Sequence, residues 1–289
     1  VVNNVQNRGG AAAAVSVSNA NPVAGDNFSY QSSYNSGSWY GDLEKLEIDL
    51  DTGDLKPTPV WARTPRVWLA DRDWTTRFIA TYSRSQGKGV PFAHASLDTA
   101  QKSALSGGKG TATQRVDFLR GDRTFEGELF RSRGPRKVLI TDPNDANFGK
   151  RVWVTANGNV PDGVAVLADI VNAEPVLVTP PKASYADTGY GAYKTSQKTR
   201  ATLVLQGANG GMLHAFKASD GDEAWAYVPS FGFDTRQDGS DGLKNLTDKE
   251  FFLHKFYVDA TPVVGDADFA RAGMATTRSK PNWRTIAVA

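Results

Sequence analysis

The stretch that most constrains this chain runs from Thr202 to Pro229 and reads TLVLQGANGGMLHAFKASDGDEAWAYVP. Its alternating or clustered apolar residues, set between turn formers, predict three short β-strands. The predicted strands are Leu203–Gln206, Met212–Lys217 and Ala224–Val228. Asn209-Gly210 tolerates positive φ at both central positions of a hairpin turn, and Ser219-Asp220-Gly221 predicts a second turn. Pro229 cannot donate to a sheet ladder, so it ends the third strand. Such a meander cannot bury both of its faces alone and needs neighbours of the same shape.

The second constraint is an internal repeat. The segment VNAEPV at residues 171–176 recurs as VDATPV at residues 258–263. In each copy a strand follows after a loop, Thr202–Leu205 in the first and Thr285–Val288 in the second. One unit is therefore an Ala-x-Pro-Val strand, a loop and the meander, and four strands are the content of one propeller blade. Loop insertions make the unit longer than the roughly 40–50 residues usual for a blade. The two insertions are Thr179–Lys198 and Phe269–Asn282.

These patterns predict an all-β fold, a modified β-propeller of four-stranded antiparallel blades with long loop insertions. The 28 glycines and 14 prolines suit many short strands and turns. Residues 1–33 are small and polar, which predicts a leader, linker or long loop with at most a short helix around Ala11–Val15. Residues 34–289 are predicted to be part of one propeller domain. Ala289 falls where the next turn of the repeat would begin, so we expect a propeller truncated at this end and a longer parent protein.

Tyr34–Trp61 is predicted to be a looser copy of the opening stretch. Its residues Leu46, Ile48 and Leu50 would share one strand face before a turn at Asp51-Thr52-Gly53-Asp54. Three other elements are predicted on local patterns. They are a strand at Arg77–Tyr82, a helix at Leu97–Leu105 capped by Ser96 and stopped by Gly107-Gly108, and a hairpin-like insertion of strands Val138–Ile140 and Arg151–Val154 joined by Asp142–Asn147.

Composition excludes several classes of function. The chain has no cysteine, which removes disulfides, thiolate metal sites and cysteine nucleophiles. Its net charge is only +2, with both signs dispersed, so a nucleic-acid partner is not expected. No apolar run approaches the length of a membrane span, and no signal peptide is visible at the N-terminus.

The opening stretch resembles the signature of the PilY family, the type IV pilus tip-associated proteins or PilC-type adhesins. The residues that carry this structural signature are Gly207, Asn209, Gly210, Gly211, Met212, His214, Ala215, Phe216, Gly221, Trp225, Pro229, Asp259 and Pro262. Further similar stretches, FLRGDR at 118–123, ADIVNAEPV at 168–176 and YVDATP at 257–262, follow in family order. Two positions depart from the family pattern, which has Asp at position 210 and Gly at position 168. The hairpin-like insertion before residue 168 is not expected from the family pattern.

The resemblance implies a modified β-propeller near the C-terminal end of a large exported protein. Members of the family are located at the pilus tip or the outer surface of Gram-negative bacteria. They promote pilus assembly, oppose retraction and support adhesion and twitching motility, without enzymatic activity. The implied partners are type IV pilus subunits, including minor pilins, and host or abiotic surfaces, with integrin as a further candidate.

The family also implies a bound calcium ion, held by a loop of alternating Asp and Asn ligands. Such a loop needs oxygens at alternate positions, a Gly at the bend and a late carboxylate. Asp142, Asn144 and Asp145 come nearest, but Pro143 interrupts them and the Gly and late carboxylate are missing. Residues 49–54 show the same alternation of candidate ligand residues, although they are better explained as a turn that ends a strand. The family's calcium loop is therefore expected beyond Ala289.

Arg120, Gly121 and Asp122 form the tripeptide that integrins recognise, which makes them an adhesion-motif candidate. An exposed loop with Gly at its tip would present a cation and a carboxylate together. The alternative is that Arg120, Asp122 and Arg123 form a structural turn with a local ion pair.

No catalytic constellation is visible in the sequence. The three histidines, His94, His214 and His254, lack a second histidine at metal-ligand spacing, so a structural role is expected for them. Trp225 is expected to pack its ring between adjacent blades.

Two other classes of protein use similar repeats. A quinoprotein-like dehydrogenase has the same strand ending but needs cofactor contacts and a catalytic Asp beside calcium. Many such enzymes also stack the quinone on a vicinal disulfide, which a cysteine-free chain lacks. An outer-membrane assembly scaffold propeller would not carry the stretches at 118–123 and 169–176.

Overall fold

A computed structural model of the chain describes residues 10–17, 25–135, 137–153, 163–250, 252–271 and 280–289. The strands are β1 (Gly10–Val17), β2 (Phe28–Asn35), β3 (Tyr40–Glu47), β4 (Ile79–Ser83), β5 (Lys88–Pro91), β6 (Val138–Leu139), β7 (Arg151–Val152), β8 (Val176–Val178), β9 (Leu203–Ala208), β10 (Met212–Lys217), β11 (Glu223–Val228), β12 (Val263–Asp268) and β13 (Trp283–Val288). The α-helices are α1 (Pro65–Asp71), α2 (Thr99–Ala104), α3 (Ala112–Arg120) and α4 (Tyr190–Ser196). Short 3-10 turns lie at Trp74–Thr76, His94–Ser96, Ser230–Phe233, Leu243–Thr247 and Phe269–Arg271. No helix in the described ranges is long and apolar enough to cross a membrane.

The largest sheet has six strands in the order β5-β4-β11-β10-β9-β8. Strands β8 to β11 are consecutive in the chain, and each is antiparallel to the next. This arrangement confirms the predicted strand, loop and meander. Val204 pairs with Leu177 on one side and with Phe216 on the other, so the apolar residues line up across the sheet.

The turn between β9 and β10 differs from the prediction. Ala208 pairs directly with Met212, which leaves a loop of three residues, Asn209 to Gly211. Within that loop only Gly211 has a positive φ, of 85°. The predicted two-residue turn with positive φ at Asn209-Gly210 is therefore wrong. Three-residue hairpin loops commonly place the left-handed residue last, where glycine adopts it without steric cost. The second predicted turn is confirmed, with Gly221 at a φ of 76°.

The six-stranded sheet is wider than the predicted four-stranded unit. β11 pairs with β4 in parallel, with Ala226 opposite Ile79 and Val228 opposite Thr81. β5 then continues the sheet antiparallel to β4. The strand at β4 was predicted, but its pairing with β11 was not. Pairing between strands so far apart in the chain leaves no local pattern in the sequence.

Helices cover part of one face of this sheet, so the described residues mix strands with helices and the all-β prediction is too narrow. Ile79 and Val228 from the sheet pack against Leu105, Val116 and Phe118 from the helical segment. All five side chains are nearly or fully buried. This helical layer fixes the upstream part of the chain to the sheet.

The caps of the two helices in this layer follow one pattern. The predicted helix at 97–105 is confirmed as α2, but its cap is Asp98 rather than Ser96. Asp98 Oδ1 accepts from the Gln101 backbone N–H at 3.0 Å, and Gln101 Oε1 accepts from the Asp98 N–H at 3.1 Å. Such a capping box satisfies two otherwise unpaired donors. Thr111 and Gln114 make the same exchange at the start of α3, a helix that the sequence patterns did not predict.

β1, β2 and β3 form a separate antiparallel sheet. Residues 10–17 are therefore a strand, so the predicted short helix around Ala11–Val15 is wrong. β2 also crosses the predicted boundary at residue 33, so residues 28–33 form a strand and not a loop. Alanine favours helix locally, but pairing of the whole segment with β2 outweighs that preference. The division into domains remains a prediction.

The predicted strand face of Leu46, Ile48 and Leu50 is also wrong. β3 ends at Glu47, and Leu50 is 50% exposed. The turn that follows is confirmed, because the Gly53 N–H donates to Asp49 O at 2.8 Å. The apolar pattern failed here because the turn begins before the third apolar residue.

The three-stranded sheet is attached to the end of β10. Lys45 Nζ and Trp61 Nε1 both donate to the Ala218 carbonyl, at 3.0 Å and 3.1 Å. Tyr30 packs against Trp61 with 5.7 Å between ring centroids. Phe216 from β10 joins the same buried cluster. The looser copy of the repeat therefore packs directly against the complete one.

The second copy of the repeat contributes β12 and β13, which pair antiparallel with Val264 opposite Ala287. This confirms the predicted strand after the second VDATPV segment. The insertion of the first copy forms α4 and reaches this pair. Tyr190 Oη donates to Asp266 Oδ2 at 2.7 Å, and Trp283 Nε1 donates to Thr188 O at 3.1 Å. The predicted hairpin-like insertion is also confirmed, as β6 paired with β7, although Val154 of its second predicted strand lies outside the described residues.

Candidate functional site

The signature residues meet where the two copies of the repeat lie side by side, which we call the repeat junction: residues 168–174, 207–211 and 254–262. The Asn172 N–H donates to Asp259 Oδ1 at 3.1 Å, and Asn172 Nδ2 donates to Asp259 Oδ2. Two residues on, the Glu174 N–H donates to Thr261 Oγ1 at 2.9 Å. Asn172 and Asp259 are equivalent in the repeat, and so are Glu174 and Thr261. The two copies are therefore in register.

Gly207 lies between the two copies. A Cβ at this position would come within 2.7 Å of Val258 O and 3.2 Å of the Ala173 Cβ, and within 3.4 Å of Ala260 O. Ala173 and Ala260 are again equivalent positions. Any side chain at 207 would separate the copies, so the signature needs glycine here because of space and not because of backbone conformation.

Asn209 links the strand turn to both copies. Its backbone N–H donates to Asp169 O at 2.9 Å, and its Nδ2 donates to Asp169 Oδ2 at 2.7 Å. Its Oδ1 accepts from the Tyr257 N–H at 2.9 Å. Asn209 is 2% exposed, so all of its bonding groups depend on these partners. An amide is required, because the position must donate to a carboxylate and accept from a backbone N–H at once.

Asp169 also contacts His254, whose Nε2 lies 2.7 Å from Asp169 Oδ2. The His254 ring stacks on Trp39, with 3.5 Å between centroids and 13° between planes. Trp39 has a φ of 52°, the one positive φ at a described residue other than glycine. Sequence reasoning missed the roles of Trp39 and Asp169. Asp169 could have been found, because it belongs to the stretch that resembles the family.

A buried ionic cluster lies behind the junction. Arg77 Nε and Nη2 donate to the two carboxylate oxygens of Glu223 at 2.7 Å and 2.8 Å. His214 Nδ1 lies 2.7 Å from Glu223 Oε1. Burial alone would raise the pKa of Glu223, but Arg77 and the hydrogen bond from His214 hold that pKa well below its usual range. Burial lowers the pKa of His214, against the opposing effect of Glu223. The cluster is an ionised carboxylate neutralised by arginine, with a neutral histidine beside it.

The two departures from the family pattern lie against each other. A Cβ on Gly210 would approach the Ala168 Cβ to 3.1 Å, which is closer than most side chains tolerate. The family has a larger residue at 210 and a smaller one at 168. This chain has the smaller residue at 210 and the larger one at 168, and the two positions share one limited space.

The remaining signature residues are packing positions. Gly211 has no room for a side chain, because a Cβ would lie 2.5 Å from Leu243 Cδ2. A Cβ on Gly221 would lie 3.0 Å from the Trp61 ring. Phe216 and Ala215 are fully buried on opposite faces of β10. Met212 is the first residue of β10, Pro229 directly follows β11, and Pro262 directly precedes β12 in the second copy.

Trp225 packs less completely than the sequence predicts. It is only partly buried, on the sheet face that also carries Leu205 and Leu213. Val258 and Val264 from the second copy join this cluster. The ring therefore contacts the group that links the two copies, but it is not enclosed by it.

The Arg-Gly-Asp candidate does not form the exposed loop that an integrin contact requires. Arg120 is the last residue of α3, and Gly121 follows at a φ of 124°. The Arg120 guanidinium is buried and donates to Phe92 O at 2.9 Å and to Arg77 O at 3.1 Å. Asp122 accepts from Thr124 and not from Arg120. The structure therefore contradicts the exposed loop and an ion pair between Arg120 and Asp122. It confirms the structural turn, in which the Gly121 N–H donates to Phe118 O at 2.9 Å.

The weak calcium candidates do not fit a calcium ion. Asp142 Oδ1 accepts from the Asn144 N–H at 2.9 Å, and Asp145 Oδ1 accepts from the Asn147 N–H at 2.7 Å. These carboxylates cap the turns of their own exposed loop. Within the described ranges, no three acidic, histidine or cysteine side chains are grouped so as to hold a metal ion.

Comparison with known proteins identifies the same region. A family model described as the PilY1 β-propeller domain matches residues 167–276, which contain the repeat junction. The type IV pilus biogenesis factor PilY1 of Pseudomonas aeruginosa (strain UCBPP-PA14) is 29% identical over 264 residues, covering 84% of this chain and 19% of that protein. The PilY1 homolog of Xylella fastidiosa is 27% identical over 269 residues, covering 90% of this chain and 17% of that protein.

The chain thus spans less than a fifth of the length of these curated relatives. No solved structure matches it. The match of the family model and the relatives agree with the residues that meet at the repeat junction. Residues 167–276 thus match the PilY1 β-propeller domain, and most of the chain is similar to type IV pilus biogenesis factors named PilY1.

Proposed function

We propose that this chain is part of an exported type IV pilus biogenesis factor that acts at the pilus tip or cell surface. In this proposal it has a structural role, as blades of a modified β-propeller, and no enzymatic activity. The parent protein promotes pilus assembly, opposes retraction and supports adhesion and twitching motility. Its partners are pilus subunits, including minor pilins, and the surfaces to which the pilus attaches.

The observation that carries this proposal is the in-register contact of the two repeat copies around Gly207. Asn172 bonds to Asp259, and Glu174 bonds to Thr261, at a constant separation of 87 residues. In a propeller, equivalent strands of neighbouring blades face each other around a common axis. The contact of equivalent positions supports assigning β8–β11 to one blade and β12–β13 to the start of the next.

A scaffold role is supported by the burial and the hydrogen bonding of the acidic and basic side chains His214 and Glu223. His214 and Glu223 are 3% and 2% exposed and are bonded to each other and to Arg77. A general base needs to reach a substrate proton. Groups enclosed in this way stabilise the sheet and cannot meet a substrate without unfolding the cluster.

The proposal is tested by exchange into a relative. The aligned segment of the Pseudomonas aeruginosa PilY1 is replaced by this chain, and surface pili and twitching zones are measured in a strain that lacks its own copy. We expect pili and twitching to be restored at least in part. The matched control is the same exchange carrying Asn209→Asp, which disrupts the junction and should abolish both.

Two outcomes would contradict the proposal. One is a stable exchanged protein at the cell surface with neither pili nor twitching. The other is equal restoration by the Asn209→Asp control. A separate assay addresses the dehydrogenase alternative: quinone-dependent dye reduction by the purified chain above background would overturn the non-enzymatic role.

A further inference from the structure

A polar cleft of about 690 Å³ lies outside the repeat junction. Its walls come from the end of α1, from the turn that follows α3 and from the hairpin β6–β7. Its volume is within the range of roughly 300–1,000 Å³ that ligand sites occupy. The hairpin contributes Lys137, Arg151 and Trp153 to the lining of the cleft.

The charges that line the cleft are balanced. Four side chains are anionic and four are cationic: Asp71, Asp122, Glu126 and Glu128, and Arg72, Arg123, Lys137 and Arg151. Lys137 pairs with Asp71, and Arg123 pairs with Glu126 at 2.9 Å. A strongly anionic or cationic ligand would meet as many like charges as opposite ones. The lining therefore suits a neutral ligand that can donate and accept hydrogen bonds at neighbouring atoms.

Two indole rings belong to the same cleft. Trp74 is partly exposed, and Trp153 is 7% exposed. Lys137 Nζ lies over the Trp153 ring, 5.7 Å from the ring centroid. Trp153 Nε1 is buried and has no hydrogen-bond partner among the residues that the structure describes. Because this donor is not accessible from the cleft, Trp153 contributes to the cleft through its ring. Indole faces also stack against apolar faces of ligands.

Balanced donors and acceptors beside aromatic faces are what a sugar ring requires. Its hydroxyl groups donate and accept at once, and its C–H face is apolar. We propose that this cleft binds a neutral oligosaccharide, which stacks on Trp74 and bonds through its hydroxyls to Asp122, Glu128 and Arg151. Asp122 Oδ1 already accepts from the Thr124 N–H at 3.0 Å and from its hydroxyl at 2.7 Å, so the carboxylate is held in place before binding.

This proposal goes beyond the pilus role and does not depend on it. The test applies the purified chain to an array of neutral, sialylated and sulfated glycans, followed by calorimetry with the best neutral oligosaccharide. We expect binding to neutral glycans only. Trp74→Ala and Arg151→Gln should each weaken that binding by about tenfold or more. Phe231→Ala, which removes an exposed ring outside the cleft, should leave the affinity unchanged.

Both Trp74 and Arg151 are at least partly exposed, and thermal unfolding shows whether each variant remains folded. Folded variants with unchanged affinity would overturn the assignment of the cleft. Binding confined to sialylated or sulfated glycans, or to none on the array, would overturn the neutral-sugar class. Displacement of the bound sugar by an unrelated peptide of mixed charge would count against a sugar site as well.

Discussion

Asp259 accepts a hydrogen bond from the backbone of Asn172, the residue that occupies its own position in the preceding copy of the repeat. Equivalent residues that bond to each other require the two copies to run alongside one another without an offset. The contact also explains why the carboxylate of Asp259 is part of the signature.

Asn209→Asp should destabilise the fold more than its small change in size suggests. The new carboxylate would lie where Nδ2 donates to Asp169 Oδ2 at 2.7 Å, so two like charges would replace a hydrogen bond. We expect a loss of about 3 kcal/mol or more at neutral pH, and about 2–3 kcal/mol for Asn209→Ala, which leaves the Tyr257 N–H unpaired. Urea unfolding measures both. An Asn209→Asp variant as stable as the parent would contradict the role assigned to Asn209, which is to bond to both Asp169 and Tyr257.

Substitutions at positions 168 and 210 should have non-additive effects on the free energy of unfolding. Gly210→Asp alone should destabilise the chain by about 1–3 kcal/mol, because its Cβ would crowd the Ala168 Cβ. Adding Ala168→Gly should recover much of that loss. A double-mutant cycle gives the interaction energy directly. Additive effects of the two substitutions would show that the space between them is not shared.

Substitution of three glycines by alanine distinguishes the cost of backbone strain from the cost of steric crowding. Gly211→Ala combines a φ of 85° with a Cβ only 2.5 Å from Leu243, so we expect a loss of about 2–4 kcal/mol. Gly53→Ala has a φ of 79° but open space, so about 1–2 kcal/mol is expected from strain alone. Gly265→Ala has neither problem and should change stability by less than about 0.5 kcal/mol. Any other order of the three unfolding free energies contradicts this explanation.

Truncation of Trp61 should destabilise the fold more than truncation of Trp225. Trp61 is 3% exposed and donates to Ala218 O, so Trp61→Ala should cost roughly 3–5 kcal/mol. Trp225 is only partly buried, and its truncation should cost about half as much. Chemical denaturation of the two variants under the same conditions makes the comparison. Equal losses would indicate that Trp225 is enclosed by another part of the protein.

Acid should weaken the fold partly through His214. Burial lowers the pKa of His214 below its ordinary value of 6.5, against the hydrogen bond and charge of Glu223. Below that ordinary value the unfolded chain binds a proton that the folded chain still rejects, so stability falls as the pH decreases from 6.5 towards the folded pKa. The loss is at most about 1.4 kcal/mol per pH unit.

His214→Asn keeps a donor near Glu223 and removes the titrating ring. The free energy of unfolding of this variant should therefore depend less steeply on pH in that range. Phe216→Leu, on the same strand, lowers stability without removing a titrating group and should keep the parent's slope. A slope that is the same in the parent and in His214→Asn would mean that another group causes the acid sensitivity.

The elements with short-range signals were predictable from sequence. The strand and turn pattern of β8–β11 comes from residues close together in the chain, and the repeat revealed β12 and β13 for the same reason. Gly221 was correctly placed in a turn because glycine is favoured there. Alternation of apolar residues failed at Leu50, where the strand had already ended in a turn.

The features that depend on distant residues were not predictable. β1 has an alanine-rich sequence that favours helix, and only pairing with β2 makes it a strand. Arg120 looked exposed because a tripeptide carries no information about burial, whereas its guanidinium satisfies two carbonyls in the interior. The junction itself needed the repeat to be recognised, and the partners Trp39 and His254 came from segments without any motif.

The parallel pairing of β4 with β11 has a mechanical consequence. The chain enters β4 at Ile79 and leaves β11 at Val228, and in a parallel pair these two points lie at opposite ends. Tension between the upstream and downstream parts of the chain would slide one strand along the other. All hydrogen bonds of the pair would then bear the load together and would not open one after another. The sheet is thus joined to the preceding segment by a clamp loaded in shear.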